Sequence, residues 1–157
     1  MQPILRRAVL SDTTEISILC FKLSEYEGRF TGKANTEEAI LRRVSDDLSH
    51  KDDNAYFVAE LPGRIIGVIK AARRGERHKI SEAYVEEGHR RNGIMTALFA
   101  KALEWVSQNG SKGLYLTVVD GNEGAIRFWK GLGFKPVGMS GHHLIRMERP
   151  AERIIAS

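Results

Sequence analysis

The chain has 157 residues, 42% hydrophobic and 28% charged, a balance that suits a folded globular domain and excludes a disordered one. Its 24 Lys and Arg against 20 Asp and Glu leave a net charge of +4, compatible with a polyanionic partner, whether nucleic acid or a phosphorylated cofactor. No window reaches the roughly 18 apolar residues of a membrane span. Met1 to Leu10 carries arginines at 6 and 7 but no apolar leader stretch. The lone Cys20 cannot close an internal disulfide, which fits a reducing compartment. The expected location is therefore the cytoplasm, with no membrane contact. The length fits a single domain, expected over 1–150, followed by a short tail, 151–157.

In chain order, Ile4 to Val9 reads as a strand. Asp12 with Glu15 three residues on resembles a capping box for a helix through Leu23. Ser24 to Lys33 shows no period and reads as a loop, and a second helix follows from Asn35 or Thr36 with an apolar stripe of Ile40, Leu41, Val44 and Leu48. Tyr56 to Leu61 and Ile65 to Ala71 predict a hairpin closed by Pro62-Gly63, an order suited to a type II turn. Ile80 to Val85 is a further strand. The clearest helix spans Asn92 to Gln108, where Ile94, Met95, Leu98, Phe99, Ala102, Leu103 and Val106 keep a 3.6-residue period and Asn109-Gly110 supplies the stop. Leu114 to Val119 then reads as a strand, Ala125 to Lys130 as a short helix, and Phe134 to Val137 and Leu144 to Glu148 as closing strands. This order implies an α/β mixed sheet flanked by helices.

The first chemical signal is the passage from Val85 to Thr96, where a strand ends, a basic glycine-containing turn follows and the long helix begins. Backbone N–H groups at a helix start have no intrahelical partner, and the helix dipole adds positive potential there. Gly93 lets backbone approach a ligand closely, and Arg90 and Arg91 add charge, so the turn suits a diphosphate as well as a plain solvated loop. It lacks the glycines and lysine of a P-loop and the three-glycine dinucleotide fingerprint.

Two segments carry a family resemblance. Arg90-Arg91-Asn92-Gly93-Ile94-Met95-Thr96-Ala97-Leu98 resembles the Arg/Gln-x-x-Gly-x-Gly/Ala motif of the GNAT N-acetyltransferases. Asn122-Glu123-Gly124-Ala125-Ile126-Arg127-Phe128-Trp129-Lys130-Gly131-Leu132-Gly133-Phe134 resembles the same superfamily's Asn-x-x-Ala-x-x-Phe-Tyr-x-x-x-Gly-Phe segment. The resemblance implies a GNAT fold: a central mixed, mostly antiparallel sheet of about six or seven strands with about four helices. It implies acetyl-CoA as co-substrate, with main chain near Val85 pairing the pantetheine arm. The amides of Arg90, Arg91, Asn92, Gly93, Ile94, Met95 and Thr96 would then hold the pyrophosphate. Asn122 matches a residue that touches the cofactor or the acceptor side of the cleft, although an asparagine there also serves as a helix cap. The activity implied is N-acetyltransfer to a primary amine, of a small molecule or a protein, by direct attack in a ternary complex. The alternative is a sensor or regulatory module that binds acyl-CoA without turnover. Relatives supply a homodimer as the prior for assembly, through the closing hairpin or a helix.

Two residues depart from the pattern. Met95 stands where Gly or Ala is usual, so its side chain must point away from the phosphates or narrow their site. Trp129 replaces a tyrosine able to protonate the leaving thiolate; indole N–H donates a hydrogen bond but has no accessible acid function. Trp129 is therefore expected to pack against the pantetheine or sulfur. Proton acceptance falls to Glu82, which strand alternation puts on one face with Tyr84 and opposite Ala83 and Val85, unless that carboxylate is merely solvated on an open sheet face. Tyr84 is the alternative proton donor. Glu25 and Glu27, in the expected loop, are placed to attract a cationic acceptor or simply to be hydrated. His142 and His143, adjacent on an expected strand, would point oppositely and could not chelate one metal; no histidine spacing suggests a metal site. Nucleic acid is not an expected partner, because only the net charge points to it.

Overall fold

The computed structural model describes residues 2–152, so most of the tail expected over 151–157 lies outside the described residues. Seven strands form one sheet in the order β1-β2-β3-β4-β5-β7-β6. They are β1 (Ile4–Arg7), β2 (Asn54–Leu61), β3 (Arg64–Arg74), β4 (Arg77–Val85), β5 (Leu114–Val119), β6 (Lys135–Met139) and β7 (Leu144–Arg149). The α-helices are α1 (Thr13–Thr31), α2 (Glu37–Ser49), α3 (Ile94–Gln108) and α4 (Glu123–Gly131). This is the expected mixed sheet, antiparallel except where β4 meets β5.

Side-chain alternation on β2 sorts the core into two layers. Ala55, Phe57 and Ala59 turn toward α3 and α4, whose Leu98, Phe99, Ala102, Val106, Ile126 and Trp129 complete one cluster. Tyr56 and Val58 turn the other way, onto Ile16, Leu19 and Cys20 of α1 and Ile40 and Val44 of α2. Helix α3 comes down closely on β3 because Gly67 has no side chain: a Cβ there would meet Leu98 Cδ1 at 3.3 Å and Ile94 Cγ2 at 3.4 Å. Gly63 takes φ 83°, the positive angle required at the second central position of a type II turn.

Several expectations are corrected. Ser24 to Lys33 is not a loop. Helix α1 continues to Thr31 and ends at Gly32, whose φ of 74° and N–H bond to the Gly28 carbonyl form a left-handed C-terminal stop. The Asp12–Glu15 capping box does not form: Asp12 accepts two bonds from Arg6 at 2.8 and 2.9 Å, and Glu15 accepts the Ile65 N–H. Tertiary partners outcompete the local cap. Leu41 is exposed rather than part of the buried stripe of α2. His142 and His143 lie in the turn before β7, not on a strand, with His143 at φ 66°.

Beneath α2, the Asp47 carboxylate accepts from the Lys70 ammonium at 2.6 Å and the Tyr56 hydroxyl at 2.7 Å, with Lys70 only 6% exposed. Removing one partner of a buried ion pair strands the other charge in a poorly hydrated place. Asp47→Ala is expected to lower unfolding free energy by about 3–5 kcal/mol, and Tyr56→Phe by about 1 kcal/mol, both measured by urea denaturation.

Candidate active site

Strands β4 and β5 are joined only at His78 with Leu114 and Lys79 with Tyr115, the sole parallel contact among the described strands. Beyond Lys79 they part. The wedge between them opens a cavity of about 800 Å³, walled by residues 79–85 of β4, 116–119 of β5, the start of α3, the N-terminal half of α4, and Leu23, Tyr26 and Glu27 of α1. That volume is ample for a bound small molecule.

The turn into α3 forms one end. Arg91 and Gly93 adopt φ of 67° and 73° after the extended Arg90, whose own N–H donates to the Glu87 carbonyl at 3.4 Å. No side chain caps the helix at Gly93, and its first bond runs from Ala97 N–H to the Gly93 carbonyl. The amides of Ile94, Met95 and Thr96 thus lie in the unpartnered first turn. Arg91, Asn92, Gly93 and Thr96 are exposed there, whereas Met95 packs partly against the core and lines the cavity wall. The Arg90 guanidinium turns back, its Nε donating to the Val85 carbonyl at 2.8 Å and its plane lying 5.1 Å from the Tyr84 ring centroid.

Glu86 N–H donates to the Ile66 carbonyl, so Val85, one residue earlier on an antiparallel ladder, directs its own N–H and C=O away from β3 and toward the gap left by β5. Arg90 occupies that carbonyl. The Val85 N–H is the donor left facing the wedge.

The alternation expected along β4 is interrupted. The β3–β4 register slips between Val68/Tyr84 and Lys70/Ser81, and Glu82 sits at φ 53° within this bulge. Regular alternation would have put Ile80, Glu82 and Tyr84 on one face, yet Ile80 packs on the α3 side and Tyr84 on the α1 side. The bulge makes that change of face and aims Glu82 at α1 and α2. There its carboxylate accepts from Arg43 at 2.7 Å, close to the buried Cys20 thiol, whose ionisation is pushed far up, chiefly by burial and then by Glu82.

On α1, Leu19, Leu23, Tyr26 and Phe30 recur at helical spacing, the signal overlooked in reading this stretch as a loop. The helix carries Glu27 into the cavity beside Glu82, whereas Glu25 stays exposed. Burial, and secondarily the Glu82 charge, push the Glu27 carboxyl up to about 7, with Lys79 pulling the other way. The sequence offered Glu27, with Glu25, as a loop charge that attracts a cationic acceptor or is merely hydrated, not as a partly buried group of the cavity wall.

Asn122 caps α4, its Oδ1 accepting the Ala125 N–H at 3.3 Å, and also lines the cavity. Trp129 is 7% exposed, edge-on to Phe99, Phe128 and Phe134 with centroids 6.0, 5.0 and 5.6 Å away, and forms part of the cavity wall. Among the described residues, no group of three or more His, Cys, Asp or Glu side chains is arranged to hold a metal ion.

Wedge, amide-lined turn and core together define a protein class, and comparison with known proteins agrees. The sequence model of the acetyltransferase (GNAT) family matches residues 20–134. An uncharacterised N-acetyltransferase of Methanocaldococcus jannaschii is 34% identical over 95 residues, 56% of this chain and 42% of its own. N-acetylaspartate synthetase of Xenopus tropicalis is 30% identical over 118 residues, 71% of this chain and 43% of its own. The chain therefore spans less than half the length of these curated relatives. The PaiA N-acetyltransferase of Thermoplasma acidophilum, solved in complex with coenzyme A, superposes with a TM-score of 0.78 at 17% identity, over 96% of this chain and 99% of that one. This chain belongs to the acetyltransferase (GNAT) family.

Because Glu27 titrates higher in the folded protein than near its ordinary 4.5, its ionisation opposes folding increasingly as pH rises from about 4.5 to about 7. Glu82→Gln removes a neighbouring negative charge and is expected to move the Glu27 titration to lower pH, read by carboxyl-carbon NMR. An unmoved Glu27 would mean that the two carboxylates do not interact.

Proposed function

We propose that the chain transfers the acetyl group of acetyl-CoA to a primary amine by direct attack within a ternary complex. The observation that carries this reading is the parted β4–β5 wedge, which runs from the uncapped start of α3 to a carboxylate-bearing cleft under α1. A diphosphate suits the amides of Arg91 to Thr96 rather than that of Arg90, which is taken by the Glu87 carbonyl, with the exposed Arg91 side chain adding charge. The pantetheine arm would follow the gap beside Val85, against Met95, Asn122, Phe128 and Trp129. Acetyl-CoA supplies a thioester whose carbonyl carbon the amine attacks, breaking the carbon–sulfur bond and releasing coenzyme A thiolate.

The protein's share is placement and proton traffic. The Val85 N–H, aimed into the gap, serves as donor to the carbonyl oxygen as negative charge develops there. An alkylamine with a pKa of about 10.4 is almost wholly protonated at pH 7 and must lose a proton to become a nucleophile. Glu82 was the sequence's candidate for this, but its carboxylate is held by Arg43 at 2.7 Å. We assign proton acceptance to Glu27, with Glu82 raising its affinity for the proton from alongside. A base tuned near the working pH is the efficient one. Tyr84, on the same face as Glu82, remains the candidate donor to the thiolate, since Trp129 has no acidic proton to give. A thiolate with a reference pKa of about 8.5 also leaves tolerably without help.

Only ionised Glu27 can take a proton, so kcat/KM for acetylation should rise with pH through about 7. Glu27→Gln is expected to remove that rise and lower kcat by about 10²- to 10⁴-fold, while calorimetry finds coenzyme A still bound. Thiol release from acetyl-CoA across an amine panel is the direct measurement. Tight coenzyme A binding with no thiol released from any amine would instead favour a non-catalytic acyl-CoA sensor.

A further inference from the structure

The acceptor end of the cavity carries two opposite charges that do not satisfy each other. Glu27 projects from α1 and Lys79 from β4, both lining the cavity, yet no ion pair joins them among the described residues. Among the described residues neither side chain makes a hydrogen bond, whereas Glu82, Lys70 and Arg146 nearby do. Glu82 is paired with Arg43 at 2.7 Å, Lys70 with Asp47 at 2.6 Å, and Arg146 with Glu148 at 2.7 Å.

Resting on the transferase reading, we propose that the acceptor is an amine that also carries a carboxylate, an amino acid being the simplest case. Its nitrogen sits at Glu27 and its carboxylate at the Lys79 ammonium. Each pole is costly when empty. Lys79 is partly desolvated and repelled by Arg74, Lys70 and, more weakly, Arg146, all of which disfavour its charged form, with Glu82 opposing them. An incoming carboxylate relieves this, and charge-assisted hydrogen bonds in partly dry surroundings are among the stronger contributions to recognition. Glu27 is likewise desolvated beside a second carboxylate, and an ammonium relieves it. A diamine or polyamine offers Lys79 only further repulsion. A protein lysine brings no carboxylate of its own. The two poles lie on opposite walls, so a single molecule spanning the cleft is oriented by them: its nitrogen is presented at the Glu27 wall and its carboxylate is held against β4. Thr117, on the cavity wall of β5 in line with Tyr115, lies on the open stretch of sheet between those walls.

The test compares matched pairs, an amino acid and the amine left by removing its carboxylate, by thiol release and by calorimetry on the coenzyme A-loaded protein. The amino acid is expected to exceed its amine by roughly 10- to 100-fold in kcat/KM, mostly through KM, as for one hydrogen bond to a charged group. That ratio should fall toward one in Lys79→Met and persist in Lys79→Arg. Because the readout is a ratio within one variant, a general loss of folding lowers both members and does not mimic the effect. A ratio near one in the unaltered protein, or one that survives Lys79→Met, overturns the inference while leaving acetyl transfer standing. Amino acids that bind with the same Lys79 dependence but release no thiol uphold the inference and sink the transfer reading.

Discussion

Two strands that start as partners and then separate are the feature on which everything else in this protein depends. Parallel pairing of β4 with β5 lasts for His78 and Lys79 and then stops, leaving backbone donors and acceptors facing a gap inside the sheet. A buried backbone group without a partner costs about 1–3 kcal/mol, so such a gap persists only where something else meets those groups. Arg90 meets one of them, at the Val85 carbonyl. The rest of the fold holds the gap open: α1 lies across one side of it, and α4 with its aromatic cluster closes the other.

The neighbouring layers give the opening its two chemically different ends. At one end, Gly67 allows α3 to settle close on β3, so that its uncapped first turn meets the mouth of the wedge with amides and guanidinium groups. At the other, the final turns of α1 overhang the sheet and bring Glu27 opposite Lys79. The proposed function assigns phosphate recognition to the positive end and selection among amines to the mixed end. Lys22 of α1, bonded to Glu86 at 2.9 Å, ties the overhanging helix to the end of β4 and so fixes the two ends relative to each other.

The two departures from the family pattern fit the same frame. Met95 offers the phosphate turn only its N–H, because its side chain lies along the cavity wall and partly against the core. Trp129 trades an acidic hydroxyl for a large apolar face, joined edge-on to Phe99, Phe128 and Phe134. In the proposed reaction this leaves proton transfer to the α1 side of the cleft.

The sequence alone determined the fold class and located the basic turn that opens α3. Period in α3, the Asn122 to Phe134 segment and the basic turn are local patterns whose meaning does not depend on distant residues. What tertiary structure decided was every pairing of charges across elements. Asp12 and Glu15 looked like a cap and became partners of Arg6 and Ile65. Ser24 to Lys33 looked aperiodic, yet Leu19, Leu23, Tyr26 and Phe30 keep helical spacing and the helix runs on to its stop at Gly32. Glu82 shares a face with Tyr84, opposite Ala83 and Val85, as alternation has it, but only a one-residue bulge against β3 turned that stretch away from the side of Ile80 and toward Arg43. Register slips and desolvation arise only between elements that are far apart in the chain. Helix period and turn chemistry could therefore be read along the sequence, whereas the carboxylate that titrates near neutrality emerged only from the fold.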